Sequence, residues 1–448
     1  MQIETRLHKG STISNNPVVV NTKNPLFTLK GMHDGKISYL PISEEILSRH
    51  SMFIGSTGCG KSNAIFQFVE AFKKKLGKND AMIVFDTKGD YLKEFFSQCD
   101  LIIGNSPLYA SISQKWNLLL EITCEKDYRK WSDNDIKLHT DELCRSLFEE
   151  RVKNTTNAFF PNAARSILVG IIVSLLRMIK NNPTQMTSLF HNNGLKKILT
   201  ESNIDDIYSF LEKNHDLHYL LSYIEGSGEQ ALGVISEMYS VINDLLIGIF
   251  SEKGLFSIRD FVRQRGGRTL FIEYDLGIGN TLTPIYRTLI DLAIKEVLSR
   301  NSQKGNLYII CDEFRLLPHL QHIDDAVNFG RSYGIKIIAG LQSIEQMYEV
   351  YGSARGKNII AGFSSVYAFR ANDVSTREYY TGMHGQNIVI EQHQLRNGTF
   401  SEEKRVGHVV EDWDVKNLKT GEAIITFPEY PPFLFRFDEY IPMKERKK

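Results

Sequence analysis

A glycine-rich segment near the start of the chain carries the residue types that hold a phosphate chain. Residues 55–62 have the sequence GSTGCGKS, in which Gly60 is followed directly by a lysine and a serine. An apolar run, 51–54, precedes this segment, and apolar residues at helical spacing follow it over 63–72. In the order strand, turn, helix, backbone N–H groups surround one anion and the helix dipole adds positive potential. The segment therefore predicts a nucleotide site.

Each position of this loop has a predicted part in that site. Lys61 would reach the β- and γ-phosphates, and Ser62 would be a ligand of Mg²⁺. The predicted cofactors are therefore ATP and Mg²⁺. Cys59 is expected to be a small residue that fits the turn rather than a redox group. The predicted nucleotide-binding residues are Gly55, Ser56, Thr57, Gly58, Cys59, Gly60, Lys61 and Ser62.

A pair of acids follows an apolar run much later in the chain. Residues 307–311 are apolar, and Asp312 and Glu313 come directly after them. Asp312 is predicted to bind Mg²⁺ together with Ser62, directly or through water. Glu313 is predicted to orient and deprotonate the attacking water. The glutamate favours an enzyme that hydrolyses ATP over a simple nucleotide switch.

Two other strand-like runs end in polar residues that could belong to the same site. Gln342 follows one of them and is predicted to sense the γ-phosphate, while Ser343 could cap the helix that comes next. Asp86 ends the apolar run 81–86. It could join the metal and water network, or it could cap a helix.

Arg370 ends a further strand-like run and could supply the positive charge that ATP hydrolysis needs. It is predicted to act in the site of a neighbouring subunit. Pairing with Asp373 on the surface is the alternative for Arg370, and Arg331 is the alternative arginine for the catalytic role.

Composition excludes a protein whose whole surface is basic. The 448 residues include 53 Lys and Arg and 53 Asp and Glu, so any nucleic-acid contact must be local. Arg263, Arg265 and Arg268 could make such a contact or touch a neighbouring subunit, although an exposed turn is favoured. The five cysteines are scattered, which indicates reduced thiols in the cytoplasm.

No signal peptide and no membrane-spanning segment is predicted. The longest apolar run, 166–176, is too short to cross a bilayer and is expected to be a buried helix. The protein is therefore expected to be soluble and cytoplasmic. The C-terminal MKERKK is expected to be a solvated tail.

Strand-like runs that alternate with helices occur on both sides of a helical stretch. This pattern predicts an α/β fold with a mostly parallel sheet covered on both faces. The predicted nucleotide-binding domain comprises 1–120 and 250–448, with small strands such as 17–20 and 36–40 in its first fifty residues. An all-α domain, 121–249, is predicted to be inserted. The later strand-like runs are 269–276, 306–313, 335–343, 364–371 and 421–427.

The order and spacing of several segments resemble the conjugative coupling proteins of the TraD/TraG kind, within the FtsK/HerA-like ring ATPases. The resemblance extends from about residue 45 to 430. The segments that carry it are GSTGCGKS (55–62), FDTKGDY (85–91), WNLL (116–119), FFPNAARSILVGII (159–172), CDEFRLLPHL (311–320), GRSYGIKIIAGLQSIEQMYEVYG (330–352), FRANDVSTREYYTGMHG (369–385) and LKTGEAII (418–425).

The resemblance implies a RecA-like P-loop ATPase with an all-α insertion, assembled as a homo-hexamer with ATP between subunits. It implies that DNA, single-stranded in conjugation, moves through the ring and that a relaxase–DNA complex is delivered to a type IV secretion channel. The catalytic residues it implies are Lys61, Glu313, Gln342 and Arg370.

The chain departs from most of that family, because no transmembrane helices are predicted at its start. A separate membrane partner could then hold the protein at the inner face of the membrane. Two other functions remain open. One is a soluble HerA-like ATPase in DNA processing or phage defence, and the other is a recruiting platform with weak ATPase activity in which 121–249 binds protein partners.

Overall fold

A computed structural model describes residues 3–14, 24–226, 228–299, 304–394 and 399–446. The described strands are β1 (Ile3–Lys9), β2 (Phe27–His33), β3 (Lys36–Ile42), β4 (Ser51–Ile54), β5 (Ala81–Asp86), β6 (Leu101–Ile103), β7 (Arg268–Glu273), β8 (Leu307–Cys311), β9 (Ile335–Leu341), β10 (Ser365–Phe369), β11 (Gln386–Gln394), β12 (Phe400–His408), β13 (Glu422–Thr426) and β14 (Phe433–Phe437).

The α-helices are α1 (Glu44–Ser48), α2 (Lys61–Lys75), α3 (Asp90–Phe95), α4 (Leu118–Thr123), α5 (Asp133–Lys153), α6 (Phe159–Asn181), α7 (Pro183–Met186), α8 (Asn192–Glu201), α9 (Ile204–Glu212), α10 (Glu229–Leu245), α11 (Ile258–Gln264), α12 (Gly279–Leu298), α13 (Ile323–Tyr333), α14 (Glu345–Tyr351), α15 (Ser353–Ala361), α16 (Val374–His384) and α17 (Asp412–Lys416). Short 3-10 helices lie at Tyr128–Lys130, Thr187–Leu189, His215–Tyr223, Gly248–Ser251 and Phe314–Leu316.

One large sheet organises these elements. Its strand order is β3-β2-β14-β13-β10-β4-β9-β8-β5-β7-β6. Neighbouring strands are parallel from β10 to β6, and antiparallel from β3 to β10. The parallel strands β4, β5, β8, β9 and β10 are buried along their whole length. The predicted α/β fold with a mostly parallel sheet is confirmed.

Helices cover both faces of the sheet. Phe53 in β4 packs against Phe68 of α2, with ring centroids 5.3 Å apart. Met52 and Ile54 belong to a second core on the opposite face, which includes residues of α12 and α13. Because side chains alternate along a strand, this short strand contributes to both cores and is fixed between them.

The helices α4 to α11 all lie between β6 and β7 in the chain. Both ends of this stretch are joined to one another at its base, where Trp116 and Phe256 form a β-bridge. Asn117 donates its side-chain amide to the carbonyl oxygens of Phe190 at 2.9 Å and Gly254 at 3.1 Å. The helices extend beyond 121–249 at both ends, and the division into domains stays a prediction.

Helix α6 is the most apolar of these helices. Among the described residues it is the one helix whose length and composition would let it cross a membrane, and 67% of its most apolar window is buried inside the protein. The run 166–176 lies within it, and Ile167, Leu168 and Ile171 are almost fully buried. The predicted buried helix is confirmed.

Several features differ from the predictions. A separate three-stranded sheet, β1-β11-β12, was not predicted. The apolar residues at helical spacing after the run 269–276 predict a long helix over 284–299, but α12 already starts at Gly279. The predicted strand at 36–40 is confirmed within β3, whereas the one at 17–20 lies outside the described residues.

The prediction that Arg265 lies in an exposed turn is wrong. Arg265 is 1% exposed, and its guanidinium donates to the carbonyl oxygens of Val262 and Asn79 at 3.2 Å each, so it is part of the interior. The C-terminal residues 443–446 are exposed, as predicted for a solvated tail, and Arg446 also binds the carboxylate of Glu70 at 2.6 and 2.9 Å. A cation such as Arg265 can leave water at a low cost when carbonyl oxygens surround it.

His50 lies immediately before β4 and helps to set the register of that strand. Its backbone has a φ of 54°, its side chain is 1% exposed, and its Nδ1 accepts the N–H of Ile337 at 3.2 Å. Burial lowers the pKa of His50 from 6.5 to about 4. The neutral imidazole is therefore the form that the fold requires.

We expect folding stability to fall as the pH drops from 6.5 to about 4, because the unfolded chain takes up a proton that buried His50 excludes. This shift corresponds to ~3 kcal/mol. The variant His50→Asn should flatten that part of the profile, since asparagine tolerates positive φ, supplies an acceptor and does not titrate. Urea unfolding of both proteins between pH 7 and pH 4 measures the effect. Parallel profiles would show that His50 does not carry it.

Candidate nucleotide site

The glycine-rich loop connects the end of β4 to the start of α2. Gly60 stands at the N-cap of α2 in a left-handed conformation, with φ of 107°. A Cβ atom at this position would lie 2.8 Å from the backbone nitrogen of Gly421. Glycine is therefore required both by the backbone angle and by the close approach of a neighbouring chain segment.

The start of α2 can bind an anion. Among the residues that the structure describes, no side chain caps this helix, so a cap does not occupy its first N–H groups. Lys61 is 7% exposed and donates from Nζ to the carbonyl oxygens of Gly55 at 2.5 Å and Ser56 at 3.1 Å. The ammonium group is thus held within the loop. The free N–H groups at the start of α2, the helix dipole and the Lys61 ammonium are together suited to bind a phosphate chain.

Two distant segments meet beside the loop. Ser62 donates from Oγ to Oδ2 of Asp312 at 2.6 Å. The two residues predicted as metal ligands are therefore in direct contact. A hydroxyl and a carboxylate supply the oxygen ligands that Mg²⁺ prefers, so this pair fits the predicted ion.

Gln342 connects the loop to Glu313. Its Nε2 donates to both carboxylate oxygens of Glu313, at 2.9 and 3.1 Å. Its Oε1 accepts from Oγ1 of Thr57 in the loop at 3.4 Å. The backbone N–H of Gln342 donates to the side chain of Gln346 at 3.1 Å. Consecutive hydrogen bonds thus join the candidate base Glu313 to the candidate sensor Gln342, and Gln342 to the glycine-rich loop. Ser343 accepts the N–H of Glu345 at 3.1 Å, although the N-cap of α14 is Ile344 and not Ser343 as predicted.

Arg370 lies next to the loop of its own subunit. Its carbonyl oxygen accepts the N–H of Ser56 at 2.8 Å. Asp373, its alternative partner, instead caps α16 by accepting the N–H of Thr376 at 2.9 Å. Action of Arg370 on a neighbouring subunit stays a prediction.

Cys59 is 1% exposed and burial raises its pKa, which agrees with a packing role.

Arg331 lies at the opposite edge of the sheet. It belongs to the last turn of α13, immediately before β9 begins, and pairs with Glu45 at 3.7 Å. Parallel strands carry their amino ends on one edge and their carboxyl ends on the other, so Arg331 is remote from the glycine-rich loop of its own subunit.

The helix-capping alternative for Asp86 agrees with the structure. Its carboxylate accepts the backbone N–H groups of Lys88 at 3.2 Å and Leu92 at 2.9 Å. Burial raises its pKa. The carboxylate is therefore engaged in holding the turn that leads into α3.

Two residues at the site were missed in the sequence. Tyr91 donates its hydroxyl to Oδ2 of Asp312 at 3.1 Å. Gly340 in β9 lies so close to Asp312 that an added Cβ atom would overlap its carbonyl oxygen. The segment 85–91, which resembles the family, ends at Tyr91 and could have identified this residue as part of the site. Gly340 could not have been identified, because a single glycine inside an apolar strand does not indicate a site.

A family model described as the type IV secretion-system coupling protein DNA-binding domain matches residues 35–436. The chain is 22% identical to the coupling protein TraD of Escherichia coli (strain K12) over 397 residues, which is 86% of this chain and 50% of TraD. It is 26% identical to the conjugal transfer protein TraG of Agrobacterium fabrum over 176 residues, which is 37% of this chain and 27% of TraG. The chain thus spans half or less of the length of these relatives.

Solved structures with a similar fold include the plasmid coupling protein TrwB in complex with ADP and Mg²⁺. This match has a TM-score of 0.71 and 22% identity, and it covers 98% of this chain and 96% of TrwB. VirB4 of Thermoanaerobacter pseudethanolicus matches with a TM-score of 0.55 and 12% identity, over 95% of this chain and 99% of VirB4. The predicted RecA-like fold is confirmed.

Replacing Gly340 with alanine should destabilise the protein by ~1–3 kcal/mol, because the new methyl group must displace the backbone at Asp312. Gly382 in α16 is a matched control, since an added Cβ atom meets nothing within 4 Å there. Gly382→Ala should be neutral or stabilising by up to ~1 kcal/mol. Denaturant unfolding of both variants measures the difference. Native stability of Gly340→Ala would contradict the close packing at Asp312.

Proposed function

The chain belongs to the family of type IV secretion-system coupling proteins, and we propose that it is an ATP-hydrolysing motor that moves DNA in conjugative transfer. The observation that carries this proposal is the contact between Ser62 and Asp312, with Glu313 bound to Gln342 next to it. The glycine-rich loop, the candidate metal ligand Asp312 and the candidate base Glu313 thus lie together at one edge of the sheet, which supports the proposal.

In the proposed reaction, the loop backbone and Lys61 bind the phosphates, and Ser62 and Asp312 hold Mg²⁺. The ion would offset negative charge on the phosphate oxygens. Glu313 takes a proton from the attacking water, and Gln342 holds the carboxylate of Glu313 in place. Thr57 donates its hydroxyl to Gln342. A movement of the loop when the γ-phosphate leaves would therefore be transmitted to Gln342 through Thr57.

We propose that single-stranded DNA is the polymer that this motor moves. The family description as a DNA-binding domain supports this. The chain has equal numbers of acidic and basic residues, so its contacts with the DNA backbone must be local. A homo-hexameric ring would present six copies of a small contact surface to one strand. A relaxase and a membrane partner complete the proposed assembly.

The variant Glu313→Gln should bind ATP within a few-fold of the native affinity while turnover falls by ~10²–10⁴-fold, since the amide cannot accept the proton. Glu349→Gln makes the same chemical change on the exposed side of α14 and should leave turnover unchanged. Nucleotide binding by calorimetry and phosphate release measure the two quantities. Native turnover in Glu313→Gln would remove Glu313 from its proposed role.

ATP turnover per subunit should rise with protein concentration and with added single-stranded DNA, because we propose that each site is completed by a neighbour. Stimulation by DNA should weaken as salt is raised, as expected for phosphate contacts. Phosphate release measured over a dilution series, with and without an oligonucleotide, tests both effects. A rate that stays flat across both series would contradict the ring motor and favour a recruiting platform.

A further inference from the structure

The segment 85–91 is built around a carboxylate that fastens its own turn. Asp86 ends β5 and accepts the N–H groups of Lys88 and Leu92. Gly89 takes a left-handed conformation with φ of 70°, and α3 begins at the next residue. Asp86 thus binds one N–H group within the turn and one in the first turn of α3. These two hydrogen bonds fix the direction in which α3 starts.

Tyr91, in the first turn of α3, reaches the metal-binding acid. Its hydroxyl donates to Oδ2 of Asp312 at 3.1 Å, the same oxygen that accepts from Ser62 at 2.6 Å. The side chain is 4% exposed, and its ring packs on Phe66 of α2 with centroids 4.3 Å apart. A phenol keeps its proton at neutral pH, so the hydroxyl of Tyr91 is the donor and the carboxylate of Asp312 is the acceptor.

We propose that Tyr91 is a positioning residue, which orients the carboxylate of Asp312 for Mg²⁺. The inference rests on the proposed function, since it assumes that Asp312 is a metal ligand. Of the two donors at Oδ2, Tyr91 is the one that is not itself a candidate ligand. It can therefore hold Asp312 both with and without the ion. Throughout the described ranges, no group donates to Oδ1, which leaves that oxygen to a ligand.

This assignment gives the segment 85–91 a role of its own, separate from that of the glycine-rich loop. Asp86 fixes the turn, the turn places α3, and α3 presents the hydroxyl of Tyr91 to Asp312. Hydrogen bonds to metal-ligating carboxylates typically contribute 10–100-fold to metal affinity. Removing the hydroxyl should therefore weaken metal binding far more than nucleotide binding, because Tyr91 makes no hydrogen bond to residues 55–62.

The experiment compares the native protein with Tyr91→Phe, which keeps the ring that packs on Phe66. Tyr239→Phe is the matched control, because Tyr239 donates its hydroxyl to the carbonyl oxygen of Ser202 at 2.7 Å within the helical stretch. Each protein is saturated with ADP and titrated with Mn²⁺, a paramagnetic probe of the Mg²⁺ site, with free ion measured by electron paramagnetic resonance. ADP affinity in the presence of EDTA and the melting temperature are measured in parallel.

We expect the dissociation constant for Mn²⁺ to rise at least tenfold in Tyr91→Phe and to stay within twofold of native in Tyr239→Phe. ADP affinity without metal should remain within twofold in all three proteins. A Mn²⁺ titration of Tyr91→Phe that matches the native one would overturn the inference and leave the proposed function intact. An equal loss of metal-free ADP binding would overturn it too, because the hydroxyl would then support the whole site.

Failure of the native protein to bind ADP at all is a separate result. It would overturn the proposed function itself, and the role of Tyr91 with it.

Discussion

The hydrogen bond between Ser62 and Asp312 joins residues that are 250 positions apart, and the site depends on it. It can form because β4 and β8 are both parallel partners of β9, with Ile54 opposite Leu341 and Cys311 opposite Ala339. The carboxyl ends of all three strands therefore meet at one edge. A shift of one residue in either pairing would turn every side chain to the other face and separate the two segments.

The long helical stretch between β6 and β7 leaves this geometry intact because its two ends are fastened together. Asn192 donates to the carbonyl oxygens of Trp116 at 2.9 Å and Phe250 at 2.8 Å, and it is fully buried. The entropic cost of closing a long loop grows only slowly with its length. The segment after Glu313 is also anchored, since Asp291 in α12 accepts the N–H groups of Gln321 and His322. The acid pair is thus held between the sheet and the helices.

The predictions that succeeded depended on local patterns. Apolar runs of buried parallel strands, such as 81–86 and 335–341, were recognised because both faces are covered and the run is continuous. The hairpin of β11 and β12 was missed, since its second strand is polar and largely exposed and its neighbour β1 comes from the far start of the chain. Arg265 was expected in solvent because a guanidinium usually stays there, whereas the fold supplies carbonyl partners in the interior.

The sequence by itself determined the glycine-rich loop that we propose binds phosphate, because the backbone curvature of such a loop depends on eight neighbouring residues. It also determined that an acid pair ends a buried strand. Only the tertiary structure decided that Tyr91 donates to Asp312 and that Gly340 leaves room for the backbone of Asp312. These contacts join separate elements, and they follow from strand order and register, which no local spacing of residues encodes.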